Sequence, residues 1–127
     1  MASKRYRIVC VDDDRDTCDM MELWLKFAPF DYDVHAVDTA EEALELVDRH
    51  DADLYILDSS VTRDVDHLTL LKTIRGTDKT TPVLIFSGMV TRIDREAAFG
   101  AGANAYLTKP AESEDFVAAV ERLLLQR

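Results

Sequence analysis

The chain has 127 residues, 47% of them apolar and 31% charged, with a formal net charge of −10. That length suits one domain with its own core, residues 1–127, and the composition excludes a disordered or membrane-embedded chain. The acidic balance opposes direct binding to nucleic acid or to anionic lipid, so a protein partner is expected.

Met1-Ala2-Ser3-Lys4-Arg5-Tyr6-Arg7 lacks the apolar stretch of a secretory signal, and the chain is expected to be cytoplasmic. Ile8-Val9-Cys10-Val11 predicts a first strand that runs straight into Asp12, Asp13 and Asp14. Cys18, Met21, Trp24, Leu25 and Ala28 then recur at helical spacing and stop before Pro29, with Asp14 and Asp16 as N-cap and dipole partners. Cys10 and Cys18 fall on apolar positions and read as small core residues rather than a redox pair. Residues 32–37 are strand-like but carry Asp33 and His35, the pattern of an edge strand. Thr39 and Glu42 make a capping box before the apolar face Ala40, Ala43, Leu44 and Val47 of a second helix.

Leu54-Tyr55-Ile56-Leu57 is four large apolar residues without a polar break, and it ends in Asp58. Such a run fits a central strand covered on both faces. A polar loop over residues 59–66, with His67 read as a loop residue, precedes a third helix on Leu68, Leu70, Leu71 and Ile74 that stops near Gly76. Pro82 leads into Val83-Leu84-Ile85-Phe86, which delivers Ser87 and Gly88. Residues 91–99 predict a charge-rich helix ending at Gly100 and Gly102, with Arg92, Asp94, Arg95 and Glu96 on a solvated face. Ala105-Tyr106-Leu107 delivers Thr108, Lys109 and Pro110. Ser113 is expected to cap a last helix whose apolar face is Phe116, Val117, Val120, Leu123 and Leu124.

Five strand and helix units in alternation predict a three-layer α/β fold, (βα)5, around a parallel sheet. Ligands on such sheets bind beyond the carboxyl ends of the strands, and four of these strands end in acids, a hydroxyl and an amine. Asp12, Asp13 and Asp58 would crowd three negative charges together, which requires a positive partner. A hard divalent cation such as Mg2+ suits a shallow carboxylate site, whereas zinc does not, because His35, His50 and His67 fall away from the acids. Lys109 adds a second positive charge and Ser87 a neutral donor. Together these groups suit phosphoryl transfer, with Asp58 as a carboxylate nucleophile that needs no general base.

From Val11-Asp12-Asp13-Asp14 through Leu57-Asp58 and Phe86-Ser87-Gly88 to Thr108-Lys109-Pro110, the chain resembles the receiver domain of two-component response regulators over nearly its whole length. That resemblance implies a doubly wound, CheY-like five-stranded sheet of order 2-1-3-4-5, and Asp58 as acceptor of a phosphoryl group from a sensor histidine kinase or a histidine phosphotransfer protein. It implies Mg2+ held by Asp12, Asp13, Asp58 and the backbone carbonyl of Ser60, with Lys109 and Ser87 on the phosphoryl group. Ser87 and Tyr106 would be the switch residues, Lys109-Pro110 would be cis, and an output protein or a second copy would dock on the face of the fourth helix, fifth strand and fifth helix. No enzymatic turnover beyond self-phosphorylation and autodephosphorylation is implied.

The sequence departs from the family between Asp58 and the third helix. Ser59-Ser60-Val61-Thr62-Arg63-Asp64-Val65-Asp66-His67 lacks the family's proline and turn glycine and reads as one residue longer. Within the same resemblance, a phosphate sink or shuttle in a phosphorelay is the alternative to a switching output. Asp12-Asp13-Asp14-Arg15-Asp16 is superficially similar to the acid pair of haloacid dehalogenase-type phosphatases, but the residue that should follow is misplaced and there is little room for their cap. A flavodoxin-like cofactor binder would need a hydroxyl- and glycine-rich phosphate cradle where these acids stand. Nothing after Leu125-Gln126-Arg127 supplies an output region, so a single-domain regulator and a receiver cut from a longer protein both stay open.

Overall fold

The structure is a computed structural model that describes residues 4–58, 66–88 and 91–125. Strands and helices alternate as β1 Arg5–Val11, α1 Arg15–Leu25, β2 Asp31–Val37, α2 Ala40–Asp48, β3 Leu54–Asp58, α3 His67–Thr77, β4 Val83–Ser87, α4 Arg92–Gly100, β5 Ala105–Thr108 and α5 Ser113–Leu125. The strands are all parallel in the order β2-β1-β3-β4-β5. This is the doubly wound order that the resemblance implied.

Because successive residues of a strand point to opposite faces, each central strand feeds two cores at once. Val9, Val11, Tyr55, Leu57, Val83 and Ile85 pack under α2, α3 and α4. Their neighbours Ile8, Cys10, Leu54, Ile56, Leu84 and Phe86 pack under α1 and α5. Every residue of β3 and β4 is buried, which is why those runs show no polar alternation. β2, by contrast, exposes Asp31, Asp33 and His35 in alternation, and Arg5 pairs with Asp33 at 2.8 Å, as expected of a charged sheet edge. On the α1/α5 face Trp24 stacks at 5.3 Å from Phe116, which in turn lies 5.8 Å from Phe86. Cys10 and Cys18 are free, buried in that core and in contact.

Helix starts follow local chemistry. The Asp14 carboxylate accepts from Asp16 N at 3.0 Å, Thr39 Oγ1 from Glu42 N at 3.2 Å and Thr91 Oγ1 from Asp94 N at 3.1 Å. Two expectations shift. Ser113 is the first residue of α5 rather than its cap, since Phe116 N already donates to Glu112 O at 3.1 Å. His67 is not in a loop: it opens α3 and is buried, because Asp66 caps the helix through Thr69 N at 2.8 Å. α3 ends at Thr77, one residue past Gly76 and close to where the sequence placed its end, and the Asp78 carboxylate takes over by accepting from Thr80 N and Thr81 N. Among the described residues no helix is long and apolar enough to cross a membrane.

At the amino end of β4 and β5 the Arg75 guanidinium joins three segments. Nε donates to Gly102 O at 3.0 Å, Nη1 to Asp78 O at 3.0 Å and to Thr81 O at 2.7 Å, and Nη2 to Asn104 Oδ1 at 2.8 Å. Asn104 Oδ1 also accepts from Val83 N at 2.8 Å. Gly102 takes φ +113°, and a Cβ there would lie 2.7 Å from Arg75 Cγ, so only glycine lets the guanidinium approach this closely.

Candidate functional site

Parallel pairing brings the carboxyl ends of the strands to one edge, and register decides which residues meet there. Val11 lies opposite Leu57, Asp58 opposite Phe86, and Ser87 opposite Thr108. Asp12, Asp58, Ser87 and Lys109 therefore leave the sheet within two residues of the same level. Lys109 N donates to Ser87 O at 2.8 Å, which ties the last of these ends to its neighbour. Lys109-Pro110 is cis, as the resemblance implied.

Asp58 is only 4% exposed, and Lys109 Nζ forms an ion pair with its Oδ2. The same ammonium lies 5.1 Å from the centre of the Phe86 ring, whose face supports the charge from below. Asp12 is 2% exposed. Its Oδ1 accepts from Asp14 N at 2.8 Å, whereas its Oδ2 is buried without a hydrogen-bond partner. Burial, and then the facing carboxyl of Asp58, push the Asp12 carboxyl up to about 7, against the opposing pull of the Asp14 amide and of Lys109. Among the described residues one ammonium thus stands against two buried carboxyl groups that face each other, and Asp12 Oδ2 has no hydrogen-bond donor of its own there.

Asp13 is exposed and lines a cleft of about 250 Å³ with Asp12, Arg15, Asp38 and Glu42. Among the described residues no group of three or more His, Cys, Asp or Glu side chains is already gathered as a metal site. Carboxylates repel one another until a cation joins them, so Asp13 facing outward is the arrangement expected of the free chain. The orphaned Asp12 oxygen and the acid-rich cleft are what a hard cation fits, and Mg2+ needs only one or two carboxylates beside its waters. Ser60, whose carbonyl the resemblance added to this set, lies outside the described residues, as does most of the atypical loop before α3.

Ser87 is fully buried at the end of β4. Tyr106 is 8% exposed and belongs to the core under α2, α3 and α4. The Arg95 guanidinium lies 5.4 Å from the centre of its ring. Sequence reasoning missed that contact, because Arg95 sits in a charge-rich helix and reads there as a solvated residue. It also missed Phe86 as the platform for Lys109, since the next-strand neighbour of an apolar residue is set by register alone.

The family profile of the response regulator receiver domain matches residues 8–121. The chain belongs to this receiver family. Among curated relatives, the cell cycle response regulators CtrA of Brucella ovis and Brucella abortus are each 31% identical to the receiver over 118 residues, 93% of this chain and 50% of theirs. The receiver thus spans about half the length of the curated relatives it matches. Among solved structures, a response regulator from Chloroflexus aurantiacus aligns with a TM-score of 0.86 and 34% identity, over 96% of this chain and 99% of that one. A two-component response regulator from Clostridium difficile aligns with a TM-score of 0.84 and 25% identity, over 96% and 97%. The receiver therefore stands with two-component signalling proteins, not with haloacid dehalogenase-type phosphatases or flavodoxin-like cofactor binders.

Proposed function

We propose that Asp58 is the phosphoacceptor of this receiver, taking its phosphoryl group from the phosphohistidine of a sensor histidine kinase or of a histidine phosphotransfer protein. The observation that carries this reading is the pairing of buried Asp58 with Lys109 beside an Asp12 oxygen that has no partner. A carboxylate oxygen of Asp58 attacks phosphorus. An O–P bond forms as the donor N–P bond breaks, and the imidazole leaves with the electron pair. Lys109, whose ammonium rests beside the Phe86 ring, would shift it from the carboxylate to a phosphoryl oxygen and offset the added charge there. Asp12 and Asp58, joined by Asp13 turned inward, would hold Mg2+, which supplies charge neutralisation between carboxylates and phosphoryl oxygens.

The buried Ser87 hydroxyl is the group we assign to a further phosphoryl oxygen. Drawing it toward Asp58 pulls on the segment between β4 and α4. Because the Tyr106 ring already lies inside the core, the change at this face is read as a shift of α4 and of the Arg95 contact, not as a ring swinging in from solvent. Ile93 and Phe99 of α4, 77% and 44% exposed, make the face of α4, β5 and α5 suitable for an output protein or a second copy. The coupling is expected to change partner affinity roughly five- to 150-fold, or about 1 to 3 kcal/mol.

Intact-mass measurement after incubation with a small acyl- or amidophosphate and Mg2+ tests the chemistry. One added phosphate is expected, lost on chelation and lost in Asp58→Asn. An Asp58→Asn protein that still gains a phosphate refutes the assignment. Amide exchange with a beryllofluoride mimic separates the two receiver roles: protection changes reaching α4 and Tyr106 mean a switching output, and changes confined to the acids mean a phosphate sink or shuttle.

A further inference from the structure

β1 and α1 bring together two thiols that the chemistry above does not use. Cys10 Sγ and Cys18 Sγ lie 2.7 Å apart, and Cys18 Sγ is also 4.0 Å from Cys10 O. Both thiols are free and buried. Spacing in the sequence reads them as core residues, yet two sulfurs this close need approach by only about 0.7 Å more to reach the disulfide bond length of about 2.05 Å.

The pair differs from inert core thiols in where it opens. Cys18 lines the cleft of about 250 Å³ that also holds Asp12, Asp13, Arg15, Asp38 and Glu42, whereas Cys10 lies behind it in β1. A small molecule entering that cleft meets the Cys18 sulfur first, and access of this kind is what separates a reactive thiol from a structural one. Four carboxyl groups and one guanidinium line the cleft, on a chain of net charge −10, so an anionic oxidant such as glutathione disulfide is repelled. A neutral peroxide is not. The bond would also fall at a sensitive place, because Asp12, Asp13 and Asp14 all lie between Cys10 and Cys18. Asp12 Oδ1 accepts from Asp14 N at 2.8 Å and Asp14 Oδ1 from Asp16 N at 3.0 Å, which leaves Asp13 as the acid of this run free to turn inward.

We propose that Cys10 and Cys18 are a dithiol oxidation site for a small neutral peroxide, and that their disulfide ties down the acid run between them and weakens the cation site. The Cys18 sulfur attacks one peroxide oxygen. An S–O bond forms as the O–O bond breaks, the departing oxygen takes the thiol proton, and Cys18 becomes a sulfenic acid while hydrogen peroxide leaves as water. The Cys10 sulfur then attacks the Cys18 sulfur. An S–S bond forms as the S–O bond breaks, and the leaving hydroxyl takes the Cys10 proton and departs as a second water. The two thiols lose two electrons and two protons, and the peroxide gains them. A bond that draws α1 onto β1 removes the freedom Asp13 needs to join a cation, and groups that orient metal ligands typically change affinity roughly ten- to 100-fold. This last effect rests on the assignment of Mg2+ to Asp12, Asp13 and Asp58, whereas formation of the disulfide does not.

The test uses the whole reduced chain, treated with hydrogen peroxide or, in parallel, with glutathione disulfide. Alkylation in denaturant should count two thiols before peroxide and none after it, with a Cys10 to Cys18 cross-link in the peptide map and the protein still monomeric by mass. Glutathione disulfide should act at least tenfold more slowly. In Cys10→Ala, dimedone should trap a sulfenic acid on Cys18, while in Cys18→Ala the remaining Cys10 should stay unlabelled, because it does not line the cleft. Calorimetry should show Mg2+ bound roughly tenfold or more weakly by the oxidised chain, with recovery in dithiothreitol. The Cys10→Ala, Cys18→Ala double variant should bind Mg2+ alike before and after peroxide. Two thiols surviving peroxide, sulfinic acid in place of the cross-link, or equal Mg2+ affinity in reduced and oxidised chains overturns the proposal. A weakening that persists in the double variant overturns it too, since it would belong to methionine oxidation. If the reduced chain binds no Mg2+, the cation assignment fails and the coupling with it, and the thiol count still decides the dithiol site.

Discussion

Replacing Arg75 by methionine keeps most of the aliphatic stem and removes the guanidinium from the junction that starts β4 and β5. The wild-type side chain makes four hydrogen bonds there, to Gly102 O, Asp78 O, Thr81 O and Asn104 Oδ1, at 2.7–3.0 Å. Bonds to a charged group contribute roughly 1.5–3 kcal/mol each when fully dry. Arg75 is only half-buried, so water can satisfy part of what is lost, and burial itself works against the charged form. About 3 kcal/mol in total is therefore the expected loss, a large share of the roughly 5–15 kcal/mol that holds a domain together. Urea denaturation followed by the fluorescence of Trp24 measures it, with a fall in Tm of about 10 °C as the thermal counterpart. A double-mutant cycle with Asn104→Ala should show coupling of about 1 kcal/mol, because the two side chains share a bond. A loss below about 1 kcal/mol for Arg75→Met would refute the reading that this junction pins the start of β4 against β5.

Lys109→Ala leaves the two acidic groups at the sheet edge without their cation and should lower stability at pH 8 by about 2 kcal/mol, most of it restored by millimolar Mg2+, as thermal melts with and without the metal would show. Asp13→Asn should weaken Mg2+ binding far more than Asp14→Asn, since Asp14 is occupied as the cap of α1; equal losses in a calorimetric titration would reverse that assignment. Burial would raise the Asp78 carboxyl, but hydrogen bonds from Thr81 and Thr80 outweigh it and hold the group below its ordinary value. A lowered carboxyl contributes stability above its unfolded value of about 4 and loses it as pH falls through the folded one, so the gap between wild type and Asp78→Asn should be full at pH 7 and narrow toward pH 3. Gly102→Ala should lose about 2 kcal/mol in urea melts, because alanine is strained at φ +113° and would press on Arg75.

Much of this receiver could be derived from local order in the chain. The strand runs without polar breaks, the helix periodicities and the caps Asp14 and Thr39 are nearest-neighbour properties, and they put every strand and helix within a few residues of where the structure has it. The candidate acids were visible for the same reason, since each directly follows an apolar run. The exceptions are instructive. His67 opens α3 and is buried although a polar run precedes it, because the Asp66 cap starts the helix there.

Only the tertiary structure decided which strand ends share a level, because register is set by pairing between segments far apart in the chain. That is how Lys109 comes to rest on Asp58 and Phe86, how the oxygen of Asp12 is left without a partner, and how Arg95 comes to lie over Tyr106. It also decided that Met20, Leu23 and Phe27 face solvent. Apolar spacing alone cannot tell an inner stripe from an outer one. The sheet can cover only one side of α1, and the side it covers is the one carrying Cys18, Met21 and Leu25.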